Sequence, residues 1–202
     1  LENFLHQRDN IPPLIKIGLV HSQFETIHPF LDGNGRVGRL LITFFLCHQE
    51  ILIKPVLYIS YFFKQHRERY YELLQKVRDE GAWEEWLKFF LNGVSQVSLE
   101  ATETARAIVS LRERHRNIIV ENFGRAAGNG LRILEGLYRN PYISTTQIRD
   151  RLGITYPPAS ELMKRFVDAE ILVEITGQER YKHYQYTGYV QLFSDPGRNR
   201  AI

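Results

Sequence analysis

Apolar side chains run in long, helix-like stretches through about the first 119 residues of the chain and in shorter, mixed blocks after that. Leu14 to Ile27 is mostly apolar, with Lys16, Gln23 and Glu25 spaced through it. Arg36 to Ile53 carries Leu40, Leu41, Phe44, Phe45 and Leu46, and predicts a central helix, apolar nearly all round. Residues 61–79 set Phe62, Phe63, Tyr70, Leu73 and Leu74 against many charges, an amphipathic pattern that Gly81 can end. Ala82 to Leu91, with Trp83, Trp86, Phe89 and Phe90, predicts another helix, and a long polar one runs on to about Ile119.

The texture then changes. Gly124 to Gly130 reads as a linker. Leu131–Tyr138 predicts a helix; Ser144 or Thr145 can cap a second that Gly153 ends, and Pro157-Pro158 opens a third through about Ala169. Residues 171–175 and 181–186 alternate as two strands around the polar tip 176–180. That order is the winged helix-turn-helix plan. The fold class expected is mainly α: a helical core over 1–120, a linker at 121–130, and a small α+β winged-helix domain over 131–202.

Composition narrows the class. With 202 residues, 44% of them hydrophobic, and a net charge of +3, the chain is neither disordered nor polybasic. The charge is uneven: residues 1–111 hold 12 basic and 13 acidic side chains, and residues 112–202 hold 14 and 10. No apolar run reaches the roughly 18 residues of a membrane span, so no membrane partner is expected. The single cysteine excludes a disulfide framework. Cys47, among Phe44, Phe45 and Leu46, is expected as a small buried hydrophobe in a reducing, cytoplasmic setting.

Chemistry concentrates in Ile27-His28-Pro29-Phe30-Leu31-Asp32-Gly33-Asn34-Gly35-Arg36-Val37-Gly38-Arg39. Pro29 turns the chain out of a helix at His28. Gly33 and Gly35 free the backbone so that loop amides and the next helix N-terminus can face one ligand, an arrangement suited to phosphate. Arg36 and Arg39, three apart in the first helical turn, project to one side and call for a polyanion. Asp32 has the oxygen chemistry for Mg²⁺, and the imidazole of His28 can take a hydroxyl proton near neutrality.

This string resembles the signature of the Fic family, His-x-Phe-x-Asp/Glu-Gly-Asn-Gly-Arg-x-x-Arg, with every fixed position present. Gln23-Phe24-Glu25-Thr26-Ile27 and Phe63, Arg67, Tyr70 and Tyr71 are similar to the family's helical core, over roughly residues 1–95. The resemblance implies a protein adenylyltransferase, which moves AMP from ATP to a Tyr, Ser or Thr hydroxyl and releases pyrophosphate. It implies His28 as base, Asp32 as the Mg²⁺ ligand, and Asn34 with the Gly33 and Gly35 amides stabilising the α-phosphate. Arg36 then meets the β-phosphate and Arg39 the γ-phosphate; Val37 flanks the ATP, Phe30 anchors the loop in the core, and Gln65 and Tyr70 are adenine-pocket candidates. The family's β-hairpin flap and inhibitory Ser/Thr-x-x-x-Glu-Gly/Asn helix have no counterpart, so a piece of a longer protein is expected. Rival readings are a DNA-binding regulator with a nucleotide-sensing domain, and a Fic enzyme that removes AMP or transfers another phosphate-containing group.

Other features read more plainly. His21, about 10.5 Å along a helix from His28, is too far to share a metal and is expected packed or facing solvent. Gly128-Asn129-Gly130 is a turn, and Arg112-Glu113-Arg114-His115-Arg116 a solvated helical face. The would-be recognition helix offers Ser160, Lys164 and Arg165 but also Glu161, Asp168 and Glu170. Those acids disfavour DNA, despite Arg180, Lys182, Arg198 and Arg200 nearby. The partners expected are therefore a target protein with an acceptor hydroxyl and, for residues 131–202, another protein ahead of DNA; self-association is left open.

Overall fold

A computed structural model describes residues 1–7, 9–53 and 57–193, so Arg198 and Arg200 lie outside the described residues. The elements in chain order are α1 (Glu2–His6), α2 (Pro13–Ile27), α3 (Asn34–His48), α4 (Ile59–Gln65), α5 (Arg67–Glu80) and α6 (Trp83–Asn122). A 3₁₀ turn (Gly124–Ala126) leads to α7 (Ala127–Leu137), β1 (Tyr142–Ile143), α8 (Thr145–Leu152), α9 (Tyr156–Asp168), β2 (Val173–Glu174), β3 (Tyr184–Gln185) and α10 (Thr187–Gln191). The protein is mainly α with a small antiparallel sheet, and it divides into two compact units between Thr102 and Glu103, within α6.

In the first unit, α2 packs on α3 and α5 around a core that includes Ile17, Val20, Ile42, Leu46, Phe63, Leu73, Trp86 and Phe90. The buried Trp86 indole donates from Nε1 to the Gly18 carbonyl at 2.8 Å, so its polar edge is satisfied inside the apolar cluster. Gly18 permits this approach, since a methyl group there would sit 3.0 Å from Leu87 and Phe90.

Four expectations for this unit need correction. The central helix ends at His48, five residues early, because Glu50 turns left-handed (φ 56°) and Ile51 and Leu52 donate back to the Leu46 carbonyl. Nor is it apolar-buried all round: Val37, Leu40 and Phe44 are exposed, Phe44 by 57%. The helix expected at 61–79 is two helices, broken at His66 (φ −109°, ψ 39°), whose ring packs against Phe62 at 4.5 Å. Cys47 is half-buried rather than fully buried.

In the second unit Ile133, Leu137, Ile148, Leu162, Phe166, Leu172 and Tyr186 form the core. The residues expected as a linker are helical: α6 reaches Asn122, and α7 starts at Ala127. Gly130 is there for contact, because a methyl would lie 2.9 Å from Ile119 and Phe123. The strands are shorter than the alternation predicts. Ile171 and Leu172 fold into the turn after α9, donating to the Phe166 carbonyl, so the ladder keeps only Val173–Gln185 and Glu174–Tyr184. β1 pairs on the other side of β3 (Tyr142–Gln185, Ile143–Tyr184), giving the order β1-β3-β2; two residues are too few to leave a period-2 signal.

Ser144 caps α8 in a reciprocal box, its Oγ accepting from the Gln147 amide and its own amide donating to Gln147 Oε1. Ser144→Ala is expected to cost about 1 kcal/mol, read as a lower urea midpoint for this unit.

Candidate active site

Two left-handed residues bend the chain around the site. α2 ends at His28 (φ 50°, ψ 57°), whose amide still donates to the Phe24 carbonyl, and α3 starts from Gly33 (φ 81°). Only glycine takes the second conformation without strain; His28 takes the first at a cost the surrounding bonds must hold. Asn34 holds them. Its Nδ2 donates to the Phe30 carbonyl at 2.6 Å and its Oδ1 accepts the Phe30 amide at 2.8 Å, from a position only 3% exposed. The Asn34 side chain is thus occupied in closing the loop, while the N-terminal amides of α3 have no side-chain cap.

The His28 ring is 60% exposed. Its Nδ1 lies 3.2 Å from the Glu25 carbonyl, and since a carbonyl only accepts, Nδ1 is the donor there, which makes Nε2 the acceptor nitrogen of the neutral ring. Asp32 is 93% exposed at its side chain, accepts the Gly33 amide on Oδ1 at 2.6 Å, and lies 3.4 Å from Arg36 Nη2 through Oδ2. The arginine heads lean back over the glycines: a methyl on Gly33 would meet Arg36 Nη2 at 3.5 Å, and one on Gly35 would meet Arg39 Nη1 at 3.1 Å. The Arg39 head therefore uses the room that Gly35 leaves, whereas Arg36 rests at ordinary contact distance over Gly33.

Arg39 also lines a cavity of about 380 Å³ with Tyr58, Ser60, Phe63, Lys64, Arg67, Tyr70 and Tyr71 among its walls. Tyr70 contributes a buried ring; its hydroxyl is bound to His21, and burial pushes its pKa up. Gln65 is exposed at the end of α4 and is not among the residues lining this cavity. Phe30 does not anchor the loop in the core: it is 52% exposed and only leans on Phe24, because the loop is fixed by Asn34 instead.

Sequence reasoning missed what lies beneath. His21 is fully buried, with Nδ1–H donating to the Gly38 carbonyl at 3.0 Å and Nε2 accepting the Tyr70 hydroxyl at 2.9 Å, so one ring ties α2, α3 and α5. Burial, with Arg39 nearby, holds its pKa down at about 4. Glu25 is buried too, although the only sequence signal was a charge three residues before His28 in an apolar helix.

In the second unit, Ser144, Thr145, Thr146, Tyr156, Ser160, Arg180, Lys182 and His183, with Glu179, line a cavity of about 480 Å³. The acids expected to oppose DNA are not among its residues. Glu161 pairs with Arg165, and Asp168 and Glu170 line a separate hollow with Ile118, Asn122 and Phe123. Nor is 112–116 wholly solvated: His115 is buried and its Nδ1 lies 2.7 Å from the Tyr186 hydroxyl. No helix among the described residues is long and apolar enough to cross a membrane.

Residues 1–46 match the Fic/DOC family, and residues 128–173 match a winged helix-turn-helix DNA-binding family. A probable protein adenylyltransferase of Aquifex aeolicus is 38% identical over 80 residues, which are 40% of this chain and 22% of that protein. The protein adenylyltransferase Fic of Aedes aegypti is 38% identical over 77 residues, 38% of this chain and 14% of that one. The chain thus spans under a quarter of the length of these relatives. A crystal structure of a Fic family protein from Desulfovibrio desulfuricans G20 aligns over 93% of this chain and 52% of its own, with 21% identity and a TM-score of 0.48. The N-terminal end of the chain is thus similar to the Fic family and its C-terminal end to winged helix-turn-helix domains.

Proposed function

We propose that the first unit is a protein adenylyltransferase, transferring AMP from ATP to a Tyr, Ser or Thr hydroxyl of a target protein. The observation that carries this is the setting of His28: an exposed ring whose Nδ1 is turned to the Glu25 carbonyl, beside a helix N-terminus with no side-chain cap and two arginines. The acceptor oxygen attacks the α-phosphorus, its proton passes to His28 Nε2, and the bond from that phosphorus to the β-phosphate oxygen breaks to release pyrophosphate. The amides of Asn34 and Gly35 and the α3 dipole meet the charge that develops on the α-phosphate, and the Gly33 amide joins them once Asp32 releases it. Arg36 and Arg39 take the β- and γ-phosphates, and the cavity beyond Arg39, with the exposed rings of Tyr58 and Tyr71, suits the rest of the nucleotide. Asp32 fits Mg²⁺: one exposed carboxylate, weakly paired with Arg36, is what an ion otherwise ligated by phosphates and water needs. When bound, that ion would neutralise charge on the α- and β-phosphates.

ATP labelled at the α- or at the γ-phosphate, incubated with the chain, Mg²⁺ and cell lysate, tests the reaction. The α-label is expected on protein and the γ-label in free pyrophosphate. Protein labelled from γ that disappears with His28→Ala, and so does not come from kinases of the lysate, would make the reaction a phosphoryl transfer and sink this reading.

A second activity is favoured for the C-terminal unit, DNA binding, because the hydroxyls of α8 and α9 converge with Arg180, Lys182 and His183, with Glu179 among them and with Glu161, Asp168 and Glu170 elsewhere. Binding to duplex DNA should weaken with salt, and Arg180→Ala with Lys182→Ala should reduce the log–log slope by about 2. A slope near zero in the parent chain rules this out.

A further inference from the structure

We propose that Glu25 is the positioning residue of His28, its carbonyl and its buried carboxylate together holding the ring with Nδ1–H inward and Nε2 outward. This rests on the reading of His28 as the base. Glu25 stands three residues before His28 on α2 and is 5% exposed. Its carbonyl accepts His28 Nδ1–H at 3.2 Å, and its Oε2 lies 3.9 Å from the same nitrogen. Arg78 of α5 fixes that carbonyl, donating from Nη2 at 2.7 Å, and binds the Thr26 hydroxyl from Nε at 3.2 Å. Gly38 of α3 leaves the carboxylate its space, since a methyl there would meet Oε1 at 2.5 Å.

Oε1 has no hydrogen-bond partner among the described residues. A buried carboxylate left in that state is costly. The groups that act on it are His28 on its own helix, Arg39 from α3, and Arg78 and the Tyr70 phenol from α5; burial pushes its pKa up, and Arg39, Arg78 and, once it is protonated, His28 pull it back. The arrangement gains most when His28 becomes an imidazolium. The new positive charge then lies beside a carboxylate that water does not screen, so the stabilisation arrives with the proton transfer rather than before it.

Glu25→Gln keeps the shape and removes the charge. The expected result is a kcat for AMP transfer at least about tenfold lower, with KM for ATP within about twofold of the parent, and partial recovery in Glu25→Asp. An unchanged kcat, or a raised KM with kcat intact, overturns the proposal. Should Glu25→Gln fail to fold, Arg78→Gln, at an exposed side chain, releases the same carbonyl; it should lower kcat without moving KM, and an unchanged kcat there counts against the idea. If the parent chain transfers no AMP, the reading of the reaction falls, but the positioning is still readable without nucleotide. The ¹⁵N shifts of the neutral His28 ring should report Nδ1–H in the parent and a shift toward mixed tautomers in Glu25→Gln. A parent ring protonated on Nε2 overturns the proposal by itself.

Discussion

His28→Ala is expected to lower AMP transfer by about 10³-fold while ATP binding, followed by calorimetry, stays within about twofold. The reasoning is local. The ring is exposed, so its loss opens no cavity, and alanine meets the same left-handed backbone that histidine already tolerates. Stability should therefore move by no more than about 0.5 kcal/mol. In the proposed reaction nucleotide affinity rests on the α3 amides and on Arg36 and Arg39, none of which touch the ring in the hydrogen bonds or ion pairs of the described residues. What disappears is the acceptor for the hydroxyl proton. Equal transfer by His28→Ala would remove the base assignment and favour a domain that senses nucleotide without reacting.

The second large effect is on stability and follows from His21. Free histidine takes a proton near pH 6.5, whereas this buried ring resists until about pH 4. Between those values the unfolded chain binds more protons than the native one, so stability is present above pH 6.5 and is lost as pH falls. The loss attributable to His21 is about 3 kcal/mol by pH 4. Within the same unit Glu25, pushed up by burial, works in the opposite direction, while His115, also pushed down by burial, acts on the second unit. Urea unfolding of the first unit across this range measures the slope. His21→Gln can still donate to Gly38 and accept from Tyr70 yet cannot titrate, so its acid slope should flatten. His21→Leu leaves the buried Tyr70 hydroxyl and Gly38 carbonyl unpaired and should cost about 3 kcal/mol at pH 7. A parent chain as stable at pH 4.5 as at pH 7 would contradict the buried neutral ring.

The loop from His28 to Arg39 was legible because its parts are contiguous: proline, glycines and paired arginines each announce a backbone or charge requirement within a few residues. Its support was not. His21 meets Tyr70 across 49 residues, and Glu25 meets Arg78 across 53, and no local pattern encodes such pairings. Helices were visible as apolar periods, but their ends were not. His66 breaks one, Glu50 stops another, and Gly130 serves close packing where the sequence around it suggests a flexible joint. Phe30 misled for the complementary reason: a large aromatic implies burial, yet the polar clamp from Asn34 does the anchoring. In the winged helix, the acids of α9 counted against DNA on composition alone, and only their directions separate them from the hydroxyl-lined face.

That clamp also bears on chemical ageing. Asn34 precedes Gly35, the dipeptide in which the following backbone nitrogen most readily attacks the side-chain amide and converts asparagine to aspartate. Here the amide is held on both sides by Phe30 and the backbone is helical, so the nitrogen of Gly35 and the amide carbon are kept from the geometry that attack requires. An aspartate at this position could not donate to the Phe30 carbonyl, and the loop would open at the residue that follows His28 and Pro29. The bonds that shape the site are the same ones that keep its most perishable amide intact.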